Sequence, residues 1–302
     1  MYDVIIIGGG PAGLTAAIYT GRMKQKTLLA VGPSAGGQIF LTYQVDNYPG
    51  FPEGITGPDL VDRLVKQVER FGATIDERMV DSVDFSSQPY KVRIKDDVFE
   101  ARSVIIATGS KNRELGLESE AKYMGRGVFV CATCDAALYE DQKVVVVGGG
   151  DSAVQEAVDL TKFAAEMLIV HRGSEFSAAK YLIDEANENE KIKIRFNTEI
   201  IEVLGGDYVT GARLKDTVSG KEWEIDTDGV LIAIGWDPNT ELFMDQLELT
   251  EEGYIVADDV KTQIPGVFVA GDINDTVYRQ LATACGSGCR AALEAEQFLS
   301  KK

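Results

Sequence analysis

The segment CATCD contains two cysteines three residues apart, Cys131 and Cys134, followed directly by an acid, Asp135. It comes after the strand-like stretch GVFV and before DAALYE, a stretch that favours a helix. Backbone N–H groups at the start of a helix stabilise a thiolate, so two cysteines placed there can cycle between dithiol and disulfide. An adjacent carboxyl group can pass a proton to or from that thiolate. The segment predicts a redox centre with Cys131, Cys134 and Asp135 as its catalytic residues.

The same cysteine spacing is also compatible with a zinc site. Cys131 and Cys134 have the CxxC spacing of zinc ligands, and Cys285 and Cys289 would supply two further sulfurs. However, the second pair is four residues apart in a small-residue helical stretch, where buried packing positions are the ordinary expectation. We therefore expect redox chemistry and no metal. A stoichiometric zinc content would reverse that expectation.

A glycine-rich pattern repeats at an interval of 140 residues. Residues 4–18, VIIIGGGPAGLTAAI, align with residues 144–158, VVVVGGGDSAVQEAV. Each copy has four aliphatic residues, then glycines, then helical apolar spacing, which predicts a strand, a tight turn and a helix. The first glycine allows the turn, the second lets N–H groups approach a pyrophosphate, and the third lets helix and strand pack closely. Two dinucleotide-binding turns are predicted, with key positions Gly8, Gly10 and Gly13, then Gly148, Gly150 and Ala153.

Further strand-like segments extend both repeats. Residues 104–109 (VIIATG) and 230–235 (VLIAIG) match each other. Residues 266–272 (GVFVAGD) predict a third buried strand. This strand and the final helix must return to one of the two dinucleotide-binding folds. Alternating stretches around residues 80–104 and 202–225 predict inserted β-meanders. The expected fold class is α/β, with two Rossmann-like dinucleotide-binding domains of the three-layer ββα type, each with an inserted meander.

Composition and charge narrow the class of protein. The chain has 302 residues, 45% hydrophobic and 26% charged, which predicts a globular protein of about two domains. A formal net charge of −18 and a pI near 4.5 oppose binding to nucleic acid or to an anionic membrane surface. No basic leader and no apolar run of about 18 residues is present, so we expect a cytoplasmic protein without a signal peptide or spanning helix.

Together these segments closely resemble the low-molecular-weight thioredoxin reductases of bacterial and archaeal type, a family of flavin-dependent disulfide reductases. The resemblance covers essentially the whole chain. It rests on GGGPAG at 8–13, GGQ at 36–38, DNYPGF at 46–51, ATGS at 107–110, CATCD at 131–135, GGGDSA at 148–153, IGWDPNT at 234–240, VAGD at 269–272 and YRQLATA at 278–284. CATCD between two glycine turns separates this family from the glutathione-reductase type, which carries its cysteines in the helix after the first turn.

The resemblance implies a discontinuous FAD-binding domain over residues 1–114 and 246–302, and a nicotinamide-type domain over residues 115–245 that bears the cysteine pair. It also implies a homodimer whose domains rotate between two states. The residues that match FAD-binding positions are Gly8, Gly10, Gly13, Gly37, Gln38, Asn47, Thr108, Gly109, Asp272, Arg279 and Gln280. Those that match NAD(P)H-binding positions are Gly148, Gly150, Ala153 and Arg172.

The resemblance further implies a role for each residue of the redox segment. Cys134 would face the flavin, Cys131 would attack the disulfide of thioredoxin or a thioredoxin-like protein, and Asp135 would be the acid–base. On this pattern electrons pass from a donor to FAD, then to the cysteine pair, then to thioredoxin.

One segment departs from the family pattern and leaves the electron donor open. NADPH-using relatives carry His-Arg-Arg-x-x-x-Arg after the second strand of this domain, whereas this chain has HRGSEFSA, with Gly173 and Ser177 at two of the arginine positions. Losing two charge-assisted contacts of about 1.5–3 kcal/mol each lowers NADPH preference by roughly 10²- to 10⁴-fold. Arg172 remains, and Glu175 is the one nearby acid that could bind the ribose of NADH. The first copy likewise lacks an acid at its strand end, at Ala30 and Val31.

Three hypotheses remain. The first is a thioredoxin reductase that uses NADPH or NADH with relaxed selectivity. The second is a reductase of the same fold whose donor is reduced ferredoxin or a deazaflavin, although the net charge of −18 opposes an acidic ferredoxin. The third is a non-enzymatic flavin-binding redox sensor.

Overall fold

The computed structural model describes residues 1–42 and 44–301. The chain divides into two compact units: unit 1 comprises Met1–Lys111 and Asp237–Lys302, and unit 2 comprises Asn112–Trp236. In the described part of the chain, no helix combines the length and the apolar character required to cross a lipid bilayer.

Unit 1 contains the first glycine turn and the last helix of the chain. Its helices are α1 (Pro11–Arg22), a 3₁₀ helix (Gly37–Leu41), α2 (Gly57–Arg70) and α7 (Leu281–Ser300). Its strands are β1 (Tyr2–Ile7), β2 (Thr27–Ala30), β3 (Thr74–Asp76), β4 (Ser82–Asp84), β5 (Tyr90–Ile94), β6 (Asp97–Ile106) and β17 (Val267–Val269). Strands β7 (Ser110–Asn112) and β16 (Trp236–Pro238), in which the chain passes from one unit to the other, form a two-stranded sheet.

Unit 2 contains the cysteine pair and the second glycine turn. Its helices are α3 (Glu118–Tyr123), α4 (Ala132–Asp135), a 3₁₀ helix (Ala136–Tyr139), α5 (Asp151–Leu160) and α6 (Lys180–Glu188). Its strands are β8 (Val128–Phe129), β9 (Lys143–Val147), β10 (Glu166–Val170), β11 (Ile192–Arg195), β12 (Thr198–Gly205), β13 (Val209–Asp216), β14 (Glu222–Asp226) and β15 (Gly229–Ile232).

The sheet of unit 1 has the strand order β3-β2-β1-β6-β5-β4, with β17 also paired to β6. Its parallel part is buried on both faces, which explains why the last four residues of β1, 4–7, are continuously aliphatic rather than alternating. Val4 and Ile6 pack into the cluster that contains residues of α1, α2 and α7. Ile5 and Ile7 pack on the other face, with residues of the antiparallel strands β5 and β6.

The parallel sheet of unit 2 has the order β11-β10-β9-β15-β8, and a separate antiparallel sheet is formed by β12-β13-β14. Val144 and Val146 of β9 pack against α5, whereas Val145 packs with Val203 and Leu214 of the antiparallel sheet. A helical layer and a second sheet thus cover opposite faces of the central sheet. This arrangement confirms the predicted three-layer ββα fold with an inserted meander.

The predicted internal repeat is visible in the strand order of the two sheets. The glycine-turn strand, β1 or β9, lies between the next strand of its repeat, β2 or β10, and the strand that ends the meander, β6 or β15. Residues 104–109 and 230–235, which are similar in sequence, therefore belong to equivalent strands of the two sheets. Strand β17 and helix α7 return to unit 1.

The divisions between the units lie at 111/112 and 236/237, whereas we expected 114/115 and 245/246. Residues 237–245 belong to unit 1 because they supply part of its core. Phe243 is fully buried, and its ring stacks on Phe85 with the centroids 6.4 Å apart. The Asn239 side-chain N–H donates to the backbone carbonyl of Thr108 at 2.8 Å, and the Asn239 backbone carbonyl accepts from the Thr108 hydroxyl, also at 2.8 Å.

We expect Phe243→Ala to destabilise the protein by about 3–5 kcal/mol, because the loss of a fully buried ring leaves a cavity. Met244, its neighbour, is 62% exposed, and Met244→Ala should change the unfolding free energy by no more than about 0.5 kcal/mol. Urea unfolding followed by circular dichroism measures both. Equal effects of the two variants would contradict the burial of Phe243.

Candidate functional site

Cys131 and Cys134 are joined by a disulfide, with their Cα atoms 5.4 Å apart. Cys131 precedes α4, and its carbonyl accepts hydrogen bonds from the N–H groups of Cys134 and Asp135, both at 3.3 Å. We call residues 131–135 the redox turn. The helix expected over DAALYE is instead divided between α4 and the following 3₁₀ helix. Ala132 is buried in the core of unit 2, whereas Cys134 is exposed, so the turn is anchored on one side and accessible on the other.

Asp135 lies at the end of the redox turn, where burial raises the pKa of its carboxyl group to about 6. The adjacent Tyr139 is buried and stacks on Phe129, with ring centroids 4.4 Å apart. Burial and the charge of Asp135 both raise the pKa of the Tyr139 phenol. Of these two groups, Asp135 is therefore the one that exchanges a proton near neutral pH.

Glu156 on α5 also contacts the redox turn. Its carboxylate accepts a hydrogen bond from the backbone N–H of Ala132 at 3.1 Å. Sequence reasoning missed this residue because an acid in the middle of an amphipathic helix is usually a solvent-facing side chain. The alignment of α5 with α1 gave no signal for it, since the two repeats share glycines and apolar positions rather than acids.

The other two cysteines belong to unit 1. Cys285 is buried, and its sulfur accepts a hydrogen bond from the Tyr48 hydroxyl at 3.7 Å. Burial, together with Cys285, raises the pKa of Tyr48 to about 12. Cys289 is only half-buried. Over residues 1–42 and 44–301, no three His, Cys, Asp or Glu side chains are grouped as metal ligands.

The first glycine turn connects β1 to α1. A Cβ at Gly8 would collide with the carbonyl of Ala107, and a Cβ at Gly13 would collide with the carbonyl of Gly8. Glycine is therefore required at both positions by close packing. A Cβ at Gly10, in contrast, would meet no protein atom within 4 Å. The turn leaves open space at the start of α1, as binding of a pyrophosphate by backbone N–H groups requires.

The remaining residues that match FAD-binding positions all lie in unit 1. The N–H of Gly36 donates to the carbonyl of Gly9 at 2.7 Å, which brings the 3₁₀ helix 37–41 against the glycine turn. Thr108 directly follows Ala107, whose carbonyl lies against Gly8. Gly271, before Asp272, packs on Ala12 of α1. The structure thereby brings these segments to the turn: Gly37 and Gln38, Thr108 and Gly109, and Asp272.

Arg279, Gln280 and Asn47 lie around the start of α7. The Asn47 amide donates to the Gln280 side-chain oxygen at 3.5 Å, and Arg279 donates to the Tyr254 hydroxyl at 3.1 Å. Burial and the nearby Asp275 raise the pKa of Asp272 to about 6, although Arg279 acts in the opposite direction. The group therefore combines amide, guanidinium and carboxyl side chains, which can bind the polar chain of a dinucleotide.

A cavity of about 530 Å³ lies beyond the ends of β2 and β3. Its lining includes Val31, Glu69 and Glu77. Val31 follows β2, at the position where the sequence has no acid. Sequence spacing did not predict these two acids because they come from α2 and from the residue after β3. The cavity and the open glycine turn fit an extended dinucleotide in unit 1.

The second glycine turn connects β9 to α5. A Cβ at Gly148 would crowd the carbonyl of Ala233, while the methyl group of Ala153 is fully buried beside it. Ser177 lies over this turn: its N–H donates to the carbonyl of Gly149 at 2.9 Å and its hydroxyl donates to the same oxygen at 3.2 Å. A Cβ at Gly150 would lie 3.8 Å from that hydroxyl. The turn is more closely covered than the first one.

His171 and Arg172 follow β10 beside the second turn. The His171 ring belongs to an aromatic group with Phe176 and Phe196, whose own centroids are 4.8 Å apart. Burial and the charge of Arg172 lower the pKa of His171. Arg172 is exposed, and a Cβ at Gly173 would lie 2.8 Å from the His171 Nε2 atom. One arginine, rather than three, is thus available in this segment.

Comparison with known proteins agrees with this geometry. The family model described as pyridine nucleotide-disulphide oxidoreductase matches residues 2–288. A thioredoxin reductase of Mycolicibacterium smegmatis is 47% identical over 304 residues, covering 100% of this chain and 98% of that protein. A bifunctional thioredoxin reductase/thioredoxin of Mycobacterium leprae is 43% identical over 305 residues, covering 100% of this chain and 66% of that protein.

Solved structures give the same result. The crystal structure of thioredoxin reductase from Streptococcus pyogenes matches with a TM-score of 0.96 and 37% identity, covering 100% of this chain and 99% of that chain. The identities and coverage place the whole chain, rather than one of its units, within a single enzyme family. The chain therefore belongs to the pyridine nucleotide-disulphide oxidoreductases and, within them, to the low-molecular-weight thioredoxin reductases, which are flavoprotein disulfide oxidoreductases.

Proposed function

We propose that the chain is an FAD-dependent thioredoxin-disulfide reductase in which electrons pass from a nicotinamide donor to FAD, to the Cys131–Cys134 disulfide, and then to thioredoxin or a thioredoxin-like protein. The observation that carries the proposal is the disulfide itself, held in an accessible turn next to an acid whose pKa is about 6. The Mycobacterium leprae relative, named as a bifunctional thioredoxin reductase/thioredoxin, supports thioredoxin as the partner.

Unit 1 is the proposed FAD-binding domain. The open turn at Gly10 would hold the pyrophosphate, and the cavity beside Val31 would hold the adenosine half. Asp272 and Arg279 would hydrogen-bond the remainder of the group. When bound, FAD accepts a hydride from a reduced nicotinamide and supplies two electrons to a disulfide.

The redox turn performs the thiol chemistry. Reduction breaks the Cys131–Cys134 bond. It consumes two electrons and one proton and produces one thiol and one thiolate. In the proposed assignment, which rests on the family resemblance, Cys131 attacks the disulfide of thioredoxin, and Cys134 then releases the reduced partner. Asp135 holds the proton that the turn gains and loses. Leu138, next to the turn and 58% exposed, offers apolar contact to the partner.

Unit 2 is the proposed nicotinamide-binding domain, with Gly148, Gly150 and Ala153 at its pyrophosphate turn and Arg172 beside it. Because Gly173 and Ser177 carry no charge, we propose weak selectivity between NADPH and NADH. The same observation favours a second candidate, a non-nicotinamide donor such as reduced ferredoxin or a deazaflavin, since Ser177 covers the turn. From the family resemblance we also propose that the protein is a cytoplasmic homodimer.

The donor is tested by anaerobic stopped-flow measurement of flavin bleaching with NADPH, NADH and reduced ferredoxin. We expect bleaching by both nicotinamides, with rate constants that differ by no more than about 10- to 100-fold because at most one arginine contacts the 2′-phosphate. Ser177→Arg should raise kcat/KM for NADPH by about 10- to 100-fold and leave NADH unchanged. Ser177→Gln is the control for side-chain size. Bleaching by ferredoxin alone would overturn the nicotinamide form of the proposal.

The partner is tested by trapping. Cys134→Ser should accumulate a mixed disulfide between Cys131 and a thioredoxin, because the second thiol that releases the partner is missing. Cys131→Ser is the matched variant and should trap none. Mass spectrometry of the non-reduced adduct identifies the bonded cysteine. Undiminished thioredoxin reduction by Cys134→Ser would contradict the role of the Cys131–Cys134 disulfide, and trapping through Cys134 would reverse the two roles.

Asp135→Asn should reduce activity and increase stability. Without the proton carrier, we expect thioredoxin reduction to fall by about 10²- to 10⁴-fold. The raised pKa means that ionising Asp135 destabilises the fold: its contribution is intact below pH 4 and is lost as pH rises through about 6. The variant should therefore be more stable than the wild type by about 1–3 kcal/mol at pH 8 and equal to it at pH 4. Urea unfolding at both pH values checks this, and equal stability at pH 8 would contradict it.

A further inference from the structure

We propose that Glu156 is a positioning residue that sets the redox potential of the Cys131–Cys134 disulfide. Its carboxylate oxygen accepts a hydrogen bond from the backbone N–H of Ala132 at 3.1 Å. That amide directly follows Cys131, the residue before the first turn of α4. The inference rests on the proposed function only in taking this disulfide as the one that cycles.

The N–H group of Ala132 has no partner within its own helix, because the first N–H groups of a helix lie beyond the reach of the intrahelical bonds. Such groups normally stabilise a thiolate that lies beside them. By accepting this N–H, Glu156 leaves it unavailable to a thiolate at the redox turn. It also places a negative charge one hydrogen bond away from the peptide group of that cysteine.

Both effects act against the thiolate that forms when the disulfide opens. Reduction breaks the S–S bond with two electrons and one proton, leaving a thiol and a thiolate, and a nearby negative charge makes this product less stable. A less stable reduced form has a more negative midpoint potential. Glu156 therefore makes the opened pair a stronger reductant toward a partner disulfide.

The position of Glu156 in the fold is well defined. Ala132 is 1% exposed and packs in one cluster with Ala153 and Ala157, the residues of α5 on either side of Glu156 in the sequence of that helix. The same helix begins at the second glycine turn. The backbone of the redox turn is thus fixed to α5 by apolar packing, and Glu156 adds the charge.

The test is an anaerobic redox titration of the holoenzyme in buffers that contain graded ratios of reduced to oxidised dithiothreitol. The dithiol supplies two electrons and closes to its cyclic disulfide; one of its two protons goes to the enzyme and the other to solvent. Acid quenching, alkylation of free thiols and mass spectrometry of the peptide that contains Cys131 and Cys134 give the reduced fraction. Flavin absorbance is followed separately.

Glu156→Gln keeps an oxygen that can accept the Ala132 N–H and removes the charge. We expect the equilibrium to shift toward the dithiol by about three- to tenfold, which is about 15–30 mV for a two-electron couple. Glu156→Ala, which loses the hydrogen bond as well, should shift it in the same direction. Asp159→Asn removes a charge from the same helix, where the carboxylate pairs with Lys162 at 2.8 Å, and should leave the potential unchanged.

An unchanged potential in a folded Glu156→Gln or Glu156→Ala variant would overturn the proposal and leave Glu156 with a purely structural role. The same shift in Asp159→Asn would also overturn it, because the effect would then come from net charge. The titration uses neither a nicotinamide nor thioredoxin. A failure of the proposed donor or partner is therefore seen in other experiments and does not alter this result.

Discussion

Backbone N–H groups at the first turns of three helices, α1, α4 and α5, are the feature on which the chemistry of this protein depends. These groups have no partners within their own helices and attract negative charge. At Gly10 the backbone faces open space, whereas at Gly150 a serine hydroxyl lies 3.8 Å from where a side chain would begin. At Ala132 a carboxylate is already bound. The N-terminal N–H groups are thus open at α1, partly covered at α5 and bound by a carboxylate at α4.

The duplicated sheets explain how these helix starts are held. In each unit the strand before the glycine turn is central and buried on both faces, so the turn cannot shift without disturbing two layers of packing. Gly8 and Gly148 are required because the strands that end the meanders lie directly against them, at Ala107 and Ala233. Close packing against the backbone at Ala107 and Ala233 therefore requires glycine at these two positions.

Much of this arrangement could be predicted from the sequence because it depends on local pattern. Four aliphatic residues before glycines define β1 and β9, and the 140-residue repeat predicts that both units share one strand order. Features that depend on contacts distant in sequence could not be predicted. Phe243 belongs to the core of unit 1 although it lies near an expected boundary, and Glu69 and Glu77 line a cavity that the spacing after β2 does not reveal.

In the segment after β10, the residues at the two missing arginine positions make packing and hydrogen-bond contacts of their own. Gly173 leaves room for the His171 ring, since a Cβ there would lie 2.8 Å from Nε2, and Ser177 is hydrogen-bonded to the carbonyl of Gly149. An arginine at 173 would first have to displace the ring, whereas one at 177 would give up a single side-chain hydrogen bond. The two positions are therefore unequal, and selectivity for a 2′-phosphate is more readily recovered at the second.

Two acids lie at the redox turn, Asp135 within it and Glu156 on the neighbouring helix α5. Burial raises the pKa of Asp135 to about 6, whereas the carboxylate of Glu156 accepts a hydrogen bond from the backbone N–H of Ala132. If both were ionised beside a thiolate, three negative charges would lie within one short turn and its neighbouring helix. Protonation of Asp135, whose pKa is raised to about 6, removes one of these charges. The burial of Asp135 and the hydrogen bond of Glu156 to the Ala132 N–H are what separate proton transfer from control of the potential.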